Sequence, residues 1–239
     1  MQCVECVQQA NKNIPTQKTQ YGGRLRFGLP LMTSIFIGIN IVVYLLQLII
    51  PGFTNQLVLV PGLAAYQPWR LVTSAFAHSP SSIFHILMNM YGVYIFGVML
   101  EPRLGRLRFA WLYLLSAVGG SLGVMLLSPA NTATLGASGA LAGLFLATII
   151  FLRGNKPAVQ QLGIVLALNV ALGFLVSGIS WQAHLCGAVA GILAAVCIVA
   201  IPRSNPQRTV IQLSLLGVLS VVIALATYLA VAAAKWTIG

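Results

Sequence analysis

The chain has 239 residues, of which 59% are hydrophobic and only 6% charged, with a mean hydropathy of +0.93. A soluble fold of this length needs far more charge to face water, so the composition excludes one and indicates a single all-α polytopic membrane domain. The net charge of +11 does not argue for nucleic acid, because the bases stand singly between apolar runs instead of forming a patch.

Residues 1–29 read as a polar tail. Its first part, 1–28, lacks the apolar core of a cleavable signal peptide. Cys3-Val-Glu-Cys6 has the spacing of half a zinc knuckle, but a structural zinc needs four ligands and no second pair is expected on that side of the membrane. No metal or cofactor is therefore assigned. The other cysteines, Cys186 and Cys197, fall in apolar spans, so a disulfide framework is not expected.

Apolar runs long enough, or nearly so, to cross about 30 Å of hydrocarbon follow in order. They are Leu31–Ile50, Ile83–Leu100, Phe109–Ser128, Ser138–Leu152, Ala158–Ser177, His184–Ile201 and Ile211–Ala234. The fourth is short and glycine-rich, as expected of a helix enclosed by its neighbours. Residues 30–202 thus form a six-span core, and 203–239 add a basic loop and a seventh span.

Loop charges set the orientation. With a cytoplasmic amino terminus, eleven of the thirteen bases lie inside and only Arg70 and Lys235 outside. The positive-inside rule favours that arrangement, in a cytoplasmic membrane. His85 and Asn89 then begin the second span, Ser138 the fourth and His184 the sixth, all near the outer face. A serine at a helix start is ordinarily an N-cap, and a lone membrane histidine ordinarily bonds a neighbouring helix. Polar groups from three spans at one depth are harder to account for that way, since each is costly in lipid.

Ser138 is a candidate nucleophile and His184 its general base. Gly136-Ala137-Ser138-Gly139 also reads as small-residue packing, and both readings can hold together. Gly139 and Gly143 on one span, with Gly187 and Gly191 on another, would let two backbones approach. The Ser138 N–H lies where a helix leaves its first donors free, ready for an oxyanion. His85 and Asn89, one turn apart, could add donors. The chain has no aspartate, and its acids are Glu5 and Glu101 alone. Glu101 reads as an interfacial ion pair or helix-end contact, and His78 as loop packing.

Taken together, Trp69-Arg70, His85-xxx-Asn89, Glu101-xxx-Gly105, Gly136-x-Ser138-Gly139 and His184-xx-Gly187-xxx-Gly191 resemble the rhomboid family of intramembrane serine proteases. The likeness covers about residues 30 to 201. It implies a six-helix core with a Ser138–His184 dyad in a hydrated cavity, hydrolysing peptide bonds in or near transmembrane segments of membrane proteins. His85, Asn89 and the Ser138 amide would form the oxyanion hole, and Trp69 and Arg70 would anchor the first loop. The stretch from Leu172 to Trp181 would belong to a lateral gate. The tail resembles the end of a cysteine-rich module found ahead of some actinobacterial rhomboids. Two departures stand out. Ala142 occupies a place where many relatives carry an aromatic residue, and the Ser79-Pro80-Ser81-Ser82 loop is longer than in some bacterial members. A catalytically inactive relative that binds transmembrane segments is the alternative, and a transporter is disfavoured because no acid lies within a span apart from Glu101 at its edge.

Overall fold

The computed structural model describes residues 19–22, 30–175 and 178–236, with side chains given outside 168–175 and 235–236. Most of the amino-terminal tail, with Cys3, Cys6 and Glu5, lies outside the described residues, as do the last two residues of the expected fifth span. Among the described residues the α-helices in chain order are α1 (Leu31–Ile49), α2 (Phe53–Leu57), α3 (Arg70–Thr73), α4 (Ile83–Leu104) and α5 (Arg106–Leu127). They continue as α6 (Ser138–Phe151), α7 (Lys156–Leu175), α8 (Trp181–Val199) and α9 (Arg208–Trp236). Helices α1, α4, α5, α8 and α9 are long and apolar enough to cross a membrane, while α6 is apolar but only 14 residues long. The molecule is a polytopic helical membrane bundle, and the helix ends described fall within four residues of those read from hydropathy.

Each junction has a local cause. Helix α1 begins after Pro30, and its first turn is capped by a distant residue. Glu101 Oε1 accepts the Met32 N–H at 3.0 Å, and Oε2 accepts the Thr33 N–H at 2.9 Å and its hydroxyl at 2.8 Å. A carboxylate at a helix N-terminus satisfies free donors and meets the positive end of the dipole. Glu101 is thus the helix-end contact, and it ties α4 to α1. Immediately beyond α4, Gly105 adopts φ +80° and lets the chain turn straight into α5.

The centre of the bundle is built from small residues on α5, α6 and α8. A Cβ at Gly119 would collide with Ala190, one at Gly123 with Gln182 and Cys186, and one at Gly143 with Ser116. Gly187 lies against the backbone of Gly139, and Gly191 against that of Gly143. These pairings advance together from α6 to α8 and in opposite directions from α5 to α8, so α6 and α8 run parallel with α5 antiparallel. Lipid supplies no hydrophobic drive between helices, so close backbone contact of this kind is what holds them. On the flank, Phe36 stacks on Tyr113 with ring centroids 4.1 Å apart. Such a pair adds about 1 kcal/mol beyond its buried area.

Helix α9 docks through polar groups at one end. Gln212, fully buried, accepts from Arg108 Nε at 2.9 Å and donates to the Ile198 carbonyl at 2.6 Å. The seventh span is therefore keyed to α5 and α8.

Candidate active site

The segment leading into α6 is held by the loop between α1 and α4. Leu59 and Thr134 exchange both backbone bonds, at 2.9 and 2.8 Å, and Gly62 donates to the Ala130 carbonyl at 2.9 Å. Gly136 donates to the Ser74 carbonyl at 2.9 Å. The loop is itself pinned. Buried Arg70 donates from Nη1 to the Val58 carbonyl at 2.6 Å and from Nε to Gln67 Oε1 at 2.5 Å. Trp69 donates from its indole to the Gln56 carbonyl at 3.1 Å, and Ser121 on α5 donates to the Leu71 carbonyl at 2.7 Å. Ser138 thus starts its helix from a fixed platform.

Gly136 has φ +121°, a conformation that other residues rarely adopt. A Cβ built there would lie 2.9 Å from His85 Nε2 and 3.8 Å from Ser138 Oγ. One small space is therefore bordered by an imidazole nitrogen from α4 and a hydroxyl from α6. The Ser138 N–H donates to no backbone carbonyl among the described residues. Farther along, Gly92 faces Leu141, so α4 and α6 run parallel and Asn89 lies one turn before that contact.

His85 Nδ1 accepts the Ser79 backbone N–H at 3.1 Å. A neutral imidazole whose Nδ1 accepts must carry its proton on Nε2, the nitrogen facing Gly136. Buried Asn89 donates to the His85 carbonyl at 2.7 Å through one amide hydrogen, while its Oδ1 has no partner among the described residues. On the other side, Gly139 sits 3.3 Å, measured from a Cβ position, from the Ala183 carbonyl and packs on Gly187. His184 lies between those two, in the first turn of α8 that Ser180 caps by accepting from Ala183. Ser138 and His184 are both half-buried, and among the described residues neither side chain makes a hydrogen bond. Catalytic contacts are often loose without substrate and tighten in the complex. A cavity of about 20 Å³ is lined by Ser74, Ser121, Thr134, Gly136, Gly139 and Ala183. That is room for roughly one water molecule.

The structure thus gathers His85, Gly136, Ser138, Gly139 and Gly187 at one end of the bundle, with Asn89 and His184 on the adjoining turns. Trp69, Arg70 and Glu101 serve as anchors at a distance from that space. The side chains of the stretch expected to form a gate are largely outside the described residues. Sequence reasoning missed Gln47, whose amide holds the backbone of His78. A glutamine near the end of a largely apolar span was the available signal.

Residues 65–201 match the family model described as "Rhomboid domain". The chain is 31% identical over 180 residues to "Rhomboid protease GluP" of Bacillus subtilis, covering 70% of this chain and 35% of that one. It is 34% identical over 148 residues to "RHOMBOID-like protein 6, mitochondrial" of Arabidopsis thaliana, covering 59% and 46% respectively. It is also 36% identical over 135 residues to "RHOMBOID-like protein 1" of the same plant, covering 54% and 34%. The matches therefore span less than half the length of these relatives.

Proposed function

The chain belongs to the rhomboid family, and we propose that it is an intramembrane serine endopeptidase cleaving peptide bonds in or near transmembrane segments of other proteins. The observation that carries the reading is the space above Gly136, bordered by His85 Nε2 and Ser138 Oγ. A scissile carbonyl carbon set against Ser138 would put its oxygen there. The imidazole of His184 removes the Ser138 proton as Oγ attacks. Charge moves to the carbonyl oxygen, which accepts from His85 Nε2–H, the free Ser138 N–H and the Asn89 amide. As the intermediate collapses, the imidazolium returns that proton to the departing amine, leaving an acyl-serine. A water molecule activated by the same imidazole then releases the acid.

In this reading the dyad works without Glu101, the one carboxylate among the described residues, which is engaged at the start of α1. Packing of α6 on α8 at Gly139 and Gly187 takes over the orienting task. In the same reading the amino terminus is cytoplasmic, the site opens outward, and residues 30–202 are the catalytic core. Reaction of Ser138 with a mechanism-based serine reagent tests this directly. Labelling should be lost in His184→Ala, and an unlabelled wild-type protein would contradict the proposal.

A second reading, a non-catalytic binder of transmembrane segments, is favoured by one observation: Ser138 and His184 share no hydrogen bond here. The same labelling separates the two.

A further inference from the structure

We infer that Gln47, on α1, is a positioning residue for the oxyanion donor His85, acting through the single peptide group that joins His78 to Ser79. This rests on the reading above. Gln47 is 6% exposed and its amide is fully engaged. Oε1 accepts the His78 N–H at 2.9 Å, while Nε2 donates to the His78 carbonyl at 2.8 Å and to Thr54 Oγ1 at 3.0 Å. The side chain thus grips residue 78 by both backbone groups.

The consequence lies one atom further on. The His78 C=O and the Ser79 N–H belong to one planar trans peptide, so they point in opposite directions. Gln47 holds the carbonyl end. The N–H end donates to His85 Nδ1 at 3.1 Å. If that peptide turned over, a carbonyl would face Nδ1 and draw the imidazole proton onto it. Nε2 would then reach the space above Gly136 as an acceptor, with nothing to offer a developing oxyanion. The His78 ring packs beside that of His85, centroids 5.1 Å apart, and limits how far the imidazole can swing.

Burial of an amide side chain on α1 does not by itself bring it to the loop. Asn40, fully buried on the same helix, donates back to the Phe36 carbonyl at 2.7 Å, and its Oδ1 has no partner among the described residues. Gln47 instead reaches out of its helix to the loop peptide whose N–H donates to His85 Nδ1.

The test compares wild type, Gln47→Met, Gln47→Glu, Asn40→Leu and Ser138→Ala in proteoliposomes with a transmembrane reporter substrate. Histidine-labelled ¹⁵N spectra, with His85 assigned from a His85→Gln sample, report its tautomer. Met keeps the length of Gln47 without its amide, and Glu keeps the acceptor for His78 while losing the donor. Both should lower kcat by about ten-fold or more with KM within roughly two-fold, since one oxyanion donor is worth about 10²-fold. Both should also move His85 from a pure Nε2–H tautomer to a mixture. Asn40→Leu should lower thermal stability and leave kcat and the tautomer unchanged. Wild-type kcat and tautomer in Gln47→Met, or an equal fall of kcat in Asn40→Leu, would overturn the inference. If wild type is no more active than Ser138→Ala, the protease reading fails. The His85 tautomer still decides the role of Gln47 in that event.

Discussion

Gly136 and His85 face each other so closely that a methyl group on the glycine would sit 2.9 Å from the imidazole Nε2. The glycine is needed twice over, for that approach and for its φ of +121°. Gly136→Ala therefore adds backbone strain of about 1–3 kcal/mol and displaces the oxyanion donor. We expect it to cut reporter cleavage by about 10²-fold or more, with the protein still inserted and helical by circular dichroism.

The contact between Gly139 and Gly187 sets the distance between nucleophile and base. A Cβ at Gly187 would approach the Gly139 carbonyl carbon to 2.8 Å and overlap its oxygen. Gly187→Ala should lower stability by about 1–3 kcal/mol through overpacking, seen as a lower thermal midpoint in detergent. Activity should fall further than stability, because α6 and α8 separate where Ser138 and His184 must meet.

Much of this arrangement was legible in the sequence, and unevenly. Helix positions followed from hydropathy because each span must satisfy its backbone within itself, whatever its neighbours. The glycine spacing at 139, 143, 187 and 191 gave the α6–α8 contact, since small residues at that period leave a groove. Glu101 illustrates the limit. Its place beside a helix end was readable, but its partners, Met32 and Thr33, lie about 70 positions earlier in the chain. The grip of Gln47 on His78 was not readable either. It depends on the fold of a loop that no periodicity describes, and on backbone groups that every residue possesses.

Glu101 gives a stability prediction that leaves the site alone. Glu101→Ala deprives the Met32 and Thr33 donors of their acceptors, at about 1–3 kcal/mol for each group left unsatisfied. Unfolding in mixed micelles should show a loss of about 3 kcal/mol, with Glu101→Gln intermediate. Labelling of Ser138 at low temperature should persist in both.

His78 should make folding sensitive to acid. Its imidazole is fully buried, and that burial, with the neighbouring His85 ring second, lowers its pKa to about 4 against a smaller opposing effect of the Phe76 backbone. The unfolded chain binds the proton more readily, near pH 6.5. The stabilisation is therefore complete above pH 6.5 and is lost as pH falls from there towards about 4. The whole effect amounts to roughly 3 kcal/mol. Replacing His78 by Gln should flatten that part of the stability profile, measured as the difference from wild type at each pH.

The most direct test of the account is cleavage of a transmembrane reporter by wild type, Ser138→Ala and His184→Ala, each reconstituted in the same lipid. Both variants should insert and fold as wild type does, yet lose cleavage by about 10³-fold or more, to the level of empty vesicles. Undiminished cleavage by Ser138→Ala would contradict the assignment of Ser138 as nucleophile.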